Sequence, residues 1–419
     1  MISVEEALQC VLSTAVLQPA EAIKVLDALD RVLASDIHSG CPLPPFNNSA
    51  MDGFALYCPE GGLIAGVELR ISASQAAGDA AIVGQAGTCC EIMTGARVPQ
   101  GFNAVVPIEQ VEVLVADADS MPLQIRLNSA VVMNQHIRMA GEDVAEGEKV
   151  IAAGTRLGSR HLMVLVALGV VEIPVRKRVK VAVLCTGREL VDDPSQKLLS
   201  GQIRNSNGPF LAIRLQQSGA DLVYQATIAD EVPHFLAALE LAKQARAEII
   251  ISTGAVSMGR YDFVPTALAS LGAEILFHKV AMRPGKPLLF ARLQTGQCFF
   301  GLPGNPVSSA VGLRFFIEPL LRKSYGQPFE QPWQLPLLHP VRKKAGFRLH
   351  QKAVLSVNGS GQLGVALMPG QESFKIKPLV SANVWAILPE PELDLQKGAM
   401  IEVVPLDLET PAVFELGKP

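Results

Sequence analysis

Val179-Lys180-Val181-Ala182-Val183-Leu184 is an apolar run broken once by lysine, and after Cys185 it stops at the small polar pair Thr186-Gly187. A short apolar run closed by such a turn reads as a strand buried on both faces. The pattern then repeats. Helical spacing around 208–218 closes at Gly219, a strand-like run over 222–228 ends in Ala229-Asp230, and a helix is expected from Pro233 to about Arg246. Ile249-Ile250-Ile251 then runs into Ser252-Thr253-Gly254. Strand, helix, strand, helix, strand predicts a doubly wound parallel sheet. In such sheets ligands bind beyond the carboxyl ends of the strands, where these Thr, Gly, Asp and Ser residues lie.

Outward from this centre the pattern changes. Upstream, Leu8, Val11, Leu12 and then Val25, Leu26, Leu29, Val32 have helical spacing, predicting amphipathic helices over 4–17 and 20–33, the first opened by the capping-box residues Ser3-Val4-Glu5-Glu6. From about 36 to 150 short β-type runs alternate with Gly and Pro. After a helix over 306–324, residues 330–405 return to short strands and read as a small all-β domain. The expected architecture is multidomain α/β plus β: a helical and extended domain (1–40 with 140–176), a β-rich insert (41–139), the α/β domain (177–326) and a β-barrel-like domain (327–419).

Bulk composition agrees with several folded domains. The chain has 419 residues, 49% hydrophobic and 18% charged, against about 25% charged in an average protein. A net charge of −4 gives no electrostatic reason to expect nucleic acid or an anionic membrane as partner. Seven cysteines without a C-x-x-C pair suggest neither a disulfide framework nor a zinc site, and adjacent Cys89 and Cys90 read as buried small hydrophobes. No export signal is expected, and the apolar stretch 161–175 is too short to span a bilayer and holds Glu172 and Pro174. The expected location is cytoplasmic.

Two Pro/Gly turns stand out: Arg283-Pro284-Gly285-Lys286-Pro287 and Leu302-Pro303-Gly304-Asn305-Pro306. Turns of this kind present backbone N–H groups, and the first adds two cations, with Lys279 nearby, so the pair beside a parallel sheet points to an oxyanion pocket rather than to ordinary surface turns. Ser252-Thr253-Gly254-Ala255-Val256-Ser257 resembles a phosphate-cradling loop but lacks the Gly-x-x-x-x-Gly-Lys spacing, which disfavours a P-loop hydrolase. Asp230 and Asp262 lie past strand or loop ends, where a carboxylate holds Mg²⁺, orients water, or merely caps a turn. Asp52, in Asn48-Ser49-Ala50-Met51-Asp52-Gly53, carries the same ambiguity.

Taken together, these phrases with Ile92-Met93-Thr94-Gly95-Ala96, Gly141-Glu142-Asp143 and the continuation Val307-Ser308 resemble the molybdopterin molybdenumtransferase family, the bacterial MoeA proteins and the gephyrin E domain. The resemblance runs from about 40 to 310, with a weaker echo at Ser381-Ala382-Asn383. It implies a four-domain homodimer that takes molybdate, Mg²⁺ and adenylylated molybdopterin, releases AMP and delivers the metal to two sulfurs, working beside partners such as molybdopterin adenylyltransferase. It implies catalytic roles for Asp52, Asp230, Asp262 and Lys286, with Glu189, Asp230 and Asp262 toward the metal. Substrate contacts are implied for Thr186, Gly187, Asn207, Ser252, Thr253, Gly254 and Ser257; for Lys279, Arg283, Pro284 and Gly285; and for Pro303, Gly304, Asn305, Pro306, Ser308 and Lys352.

The chain departs from the family at several points. The usual Thr-Gly-Asp-Glu turn is Thr186-Gly187-Arg188-Glu189, the acid after Ser-Met-Gly is Arg260, and an Asp expected just before Asn207 is replaced by Asn205 or Ser206. Ala255 replaces a second glycine, Arg283 replaces a lysine, and an arginine-rich stretch becomes Gly346-Phe347-Arg348-Leu349-His350-Gln351-Lys352, in which Lys352 is the cation in register. Three readings stay open: an active transferase, a pterin-binding or scaffolding paralogue whose Arg188 and Arg260 repel Mg²⁺, and an unrelated nucleotide hydrolase.

Overall fold

The computed structural model describes residues 1–256, 262–357, 361–391, 394–407 and 415–416, the last two for their backbone only. Ser257 and Arg260 lie outside the described residues. The chain divides into two compact units, residues 1–22, 30–34 and 174–419 forming one and residues 23–29 and 35–173 the other.

The first unit is built on a six-stranded sheet. In chain order its elements are β1 (Lys180–Thr186), α1 (Asn207–Gln217), β2 (Asp221–Ile228), α2 (Val232–Gln244), β3 (Ile249–Thr253), α3 (Val264–Ser270), β4 (Glu274–His278), β5 (Leu289–Arg292) and β6 (Cys298–Leu302). The strand order is β2-β1-β3-β6-β5-β4. The four strands β2, β1, β3 and β6 are parallel, as the apolar runs predict. The sheet as a whole is mixed, because β5 pairs antiparallel with both β6 and β4. That hairpin corrects the all-parallel expectation: only the short turn Leu293–Gln297 joins β5 to β6, too short for the crossover that parallel neighbours need.

One face of the sheet packs Leu211 and Leu215 of α1, Val4, Ala7 and Val11 of the N-terminal helix, and Phe316, Ile317 and Leu320 of helix 306–324. The other packs Phe235, Ala238 and Leu239 of α2 with Val264 and Leu268 of α3. Helix 306–324 contains a π-helical turn at Leu313–Ile317. Just after it, the fully buried Glu318 meets the guanidinium groups of Arg214 and Arg314, and Arg314 Nε also donates to the carbonyl of Pro405 at 3.2 Å. A buried carboxylate needs such partners to offset desolvation.

The rest of this unit is β structure, as expected for 330–405. Its central strand, Arg348–Val357, pairs with Val384–Leu388 and Leu363–Leu367, and in parallel with the two residues Met282–Arg283 from upstream of the sheet's last hairpin.

The N-terminal helix is Val4–Ser13, shorter than expected, with the capping box formed: Glu6 N–H donates to Ser3 Oγ at 3.1 Å and Ser3 N–H to Glu6 Oε2 at 2.8 Å. No second helix follows. Residues 20–24 form a strand, Ala20–Lys24, then a single 3-10 turn at Val25–Asp27. Asp30 has φ +61°, which a continuous helix does not accommodate, and Leu26 and Leu29 are 78% and 51% exposed, so their helical spacing marks no buried stripe.

The second unit holds a six-stranded mixed sheet in the order Ala104–Pro107, Gly53–Leu56, Thr88–Ile92, Glu68–Gln75, Pro122–Leu127, Val111–Ala116. Cys89 and Cys90 are buried in it, and burial pushes their thiols up to about 12 and about 11. All seven cysteines are free.

Candidate functional site

The winding of the first unit reverses at β1 and β3: the chain leaves β1 toward β2 on one side and returns through α2 to β3 on the other. A crevice opens where these exits diverge. Thr186 Oγ1 donates to the Thr253 carbonyl at 3.0 Å and ties the two strand ends together. Gly254 has φ +88°, and a Cβ there would lie 2.7 Å from Thr186 Oγ1, so the loop closes this tightly only on glycine. At Gly187, with φ +153°, a Cβ would meet only the flexible carboxylate of Glu189, at 2.7 Å, which can move aside. Gly254 N–H bonds to Leu302 O at 3.0 Å, and Asn207 Nδ2 donates to Gly304 O at 2.8 Å. The crevice therefore gathers Thr186, Gly187, Glu189, Asn207, Thr253, Gly254 and Gly304. Two buried oxygens there, Asn207 Oδ1 and Ser252 Oγ, have no hydrogen-bond partner among the described residues. An orphaned acceptor and hydroxyl in a cleft are what a ligand or ordered water satisfies.

At the same edge Asn205 is buried, donating from Nδ2 to Asp192 Oδ1 and to Thr227 Oγ1, both at 2.9 Å, and accepting at Oδ1 from Gly208 N–H at the start of α1. Thr227 Oγ1 also donates to Asp192 Oδ1 at 2.8 Å. With one oxygen taken by two donors, the Asp192 carboxylate is fixed in direction. Half-buried Asp230 and Asp262 begin the segments that lead into α2 and α3.

The second half of the site is a cavity of about 560 Å³ lined by Arg283, Lys286, Arg342, Lys343, Lys344 and Phe347, among others. Pro303, Asn305 and Ser308 also line it, so the turn Leu302–Ser308 borders both cavity and crevice. Lys279, with φ +77°, begins the loop that carries Arg283 and Lys286, and Val280 N–H bonds to Lys286 O at 2.9 Å. Lys352 does not face the cavity. It is fully buried, its Nζ donating to the carbonyls of Gly370 at 2.7 Å and Lys375 at 2.9 Å. The lysine was in register with the strand, but an inward-facing position on a buried strand takes it into the interior, where it clamps the loop that brings Gln371, Glu372 and Ser373 to the cavity.

In the second unit Asp52 is exposed, and its Oδ1 accepts from Thr94 N–H at 2.6 Å and Thr94 Oγ1 at 2.9 Å. The pairing of Gly53 with Ile92 places the two side by side. The Thr94 N–H, and then its hydroxyl, hold the Asp52 carboxyl below the usual carboxylate range, so at neutral pH it acts as an anion and not as a proton donor.

Known proteins share this sequence and architecture. Residues 2–169 match the family described as the MoeA N-terminal region (domain I and II), and residues 182–323 the one described as a probable molybdopterin binding domain. A molybdopterin molybdenumtransferase of Synechococcus elongatus is 37% identical over 91% of this chain and 94% of its own length. One of Haemophilus influenzae is 32% identical over 92% and 94%. The chain belongs to the molybdopterin molybdenumtransferase family. A solved molybdopterin biosynthesis MoeA protein of Pyrococcus horikoshii superposes with a TM-score of 0.79 at 25% identity, covering 96% of this chain and 99% of that one.

Against the family pattern, the structure shows what the departures do. Arg188 is exposed and makes no ion pair with Glu189 among the described residues. Near the acid that the resemblance leads one to expect at 205 or 206 stands another carboxylate, Asp192, which accepts from the Asn205 amide. Arg342, Lys343 and Lys344, a few residues upstream of 346–351, line the cavity. Sequence reading passed over Asp192, Thr94 and Phe347; the run Arg342-Lys343-Lys344 was the visible signal for the new cations. Among the described residues no group of three or more His, Cys, Asp or Glu side chains is gathered to hold a metal ion. Glu189, Asp230 and Asp262 are therefore not gathered into one three-carboxylate site, although each carries the oxygen donors that a hard cation takes one or two at a time beside phosphate and water.

Proposed function

We propose that this protein inserts molybdate into adenylylated molybdopterin with release of AMP, a step of molybdenum cofactor biosynthesis. The observation that carries the reading is the turn Leu302–Ser308, which borders both a sheet crevice with unsatisfied polar atoms and a cation-lined cavity. A nucleotide-linked pterin in the first and an oxyanion in the second would meet across one short segment. Thr186, Thr253, Gly254, Asn207 and Gly304 orient the substrate. Arg283, Lys286 and the N–H groups of Gly285 and Asn305 balance the charge of molybdate and of the phosphates. A water oxygen attacks the AMP phosphorus, so the phosphoanhydride breaks, AMP leaves with that oxygen and the pterin keeps its own phosphate. The two thiol sulfurs displace an oxygen from molybdate, which takes up their protons and leaves as water as the Mo–S bonds form. Mg²⁺ held by one or two of the carboxylates Glu189, Asp230 and Asp262 together with the substrate phosphates would supply charge neutralisation at the anhydride. The reading includes a homodimer, the four-domain division given above, a cytoplasmic location, and molybdopterin adenylyltransferase as the supplier of substrate. No helix among the described residues is long and apolar enough to cross a membrane.

The test is AMP release from adenylylated molybdopterin by the purified chain, with and without molybdate and Mg²⁺. Release that depends on molybdate is the expected result. Tight pterin binding with no release would assign the chain to binding or scaffolding instead.

A further inference from the structure

Phe347 stands against two of the five cations that line the cavity, Arg283 and Lys286. The guanidinium carbon of Arg283 lies 4.6 Å from its ring centroid, and Lys286 Nζ lies 5.7 Å from it. The backbone sets this arrangement. Met282–Arg283 pairs in parallel with Arg348 and Leu349, and Arg348 N–H donates to Ala281 O at 3.0 Å, so the residue before Arg348 is delivered beside the Arg283 turn. The acids nearby pair with other cations: Glu372 with Lys375 at 2.8 Å, and Asp394 with Arg342 of the cavity lining at 3.2 Å. Arg283 and Lys286 are exposed and form no ion pair among the described residues.

Two long cationic side chains in solvent repel each other and lose rotamer freedom when they close on an anion. A carboxylate between them would order them but would cancel their charge and compete with the oxyanion. An aromatic face attracts a cation without neutralising it and leaves its N–H donors free. We propose that Phe347 is a positioning residue for the oxyanion, its ring holding Arg283 and Lys286 ready to bind. The proposal rests on the cavity being the molybdate site.

Molybdate binding by isothermal titration calorimetry, with the full chain and no pterin, tests it without turnover. Phe347→Ala and Phe347→Leu should each weaken binding by about three- to tenfold, whereas Phe347→Trp, which keeps a π face, should bind as wild type or tighter. In an Arg283→Ala background the Phe347→Leu effect should shrink. If Phe347→Leu binds molybdate as tightly as wild type, the ring only fills space and the proposal is overturned. Should Arg283→Ala and Lys286→Ala leave binding unchanged, the cavity is not the molybdate site, and the functional reading falls first.

Discussion

At the carboxyl edge of the sheet the crevice is shaped by backbone: Gly254 has no room for a Cβ against the Thr186 carbonyl, and Thr186 stitches β1 to β3. The cavity on the other side of Leu302–Ser308 is shaped by side chains, with Arg342, Lys343, Lys344 and Phe347 arriving from a separate β region. A backbone-built wall tolerates few changes of sequence, because the alternatives collide. A wall built from long side chains can be rebuilt from other positions as long as charge reaches the same space.

The largest effects should separate the two walls. Lys286→Ala should lower molybdate-dependent AMP release by about a hundredfold while leaving the affinity for adenylylated molybdopterin within a few-fold. Gly254→Ala should do the reverse, abolishing tight nucleotide–pterin binding while the calorimetric molybdate affinity persists. If each variant lost both ligands together, crevice and cavity would not be separable sites and the comparison would fail.

The same distinction explains what was legible in the sequence. β1, β2, β3 and helix 306–324 announce themselves because buried parallel strands are apolar runs and their ligand loops are Gly, Thr and Ser. The hairpin that makes the sheet mixed is also apolar, and apolarity carries no strand direction. Lys352 shows the limit for side chains. A lysine in register with an anion-binding position reads as a ligand, yet three backbone carbonyls within the fold already occupy its ammonium. Asp192 and Phe347 were illegible because what matters is the partner, Asn205 in one case and Arg283 in the other, and both are set by long-range pairing.

A smaller effect concerns the rigidity of the cavity wall. His350, on the strand that follows Phe347, is buried against Phe315 with ring centroids 4.1 Å apart, and its Nδ1 has no partner among the described residues. Burial first, and then Arg348, holds its pKa down to about 3. An unfolded histidine titrates near 6.5, so between these values the unfolded chain takes up a proton that the native one refuses. Stability is therefore full above pH 6.5 and falls as pH drops, by roughly 2 kcal/mol between 6.5 and 4.5. Denaturation of His350→Phe should show that much less loss over the range. Parallel pH profiles for wild type and variant would mean that the imidazole is reached by solvent or by another partner.

The smallest expected effect tests whether Asp192 stands in for the acid that the resemblance leads one to expect at 205 or 206. Asn205→Asp alone keeps the acceptor for Gly208 N–H and adds charge at the start of α1, which favours it slightly. It also removes the donor that Asp192 and Thr227 share, and sets two carboxylates at hydrogen-bond distance. Repulsion should win near the surface, for a net loss of about 1 kcal/mol. Asp192→Asn in the same chain restores one donor and one charge with the two positions exchanged, so the double variant should recover to within about 0.5 kcal/mol of wild type. Urea denaturation of the four proteins closes the cycle. Additive losses would show that the two side chains do not depend on each other and that the charge at 192 is incidental; coupling, with AMP release retained in the double variant, would show that this edge of the crevice needs one carboxylate and accepts it from either strand.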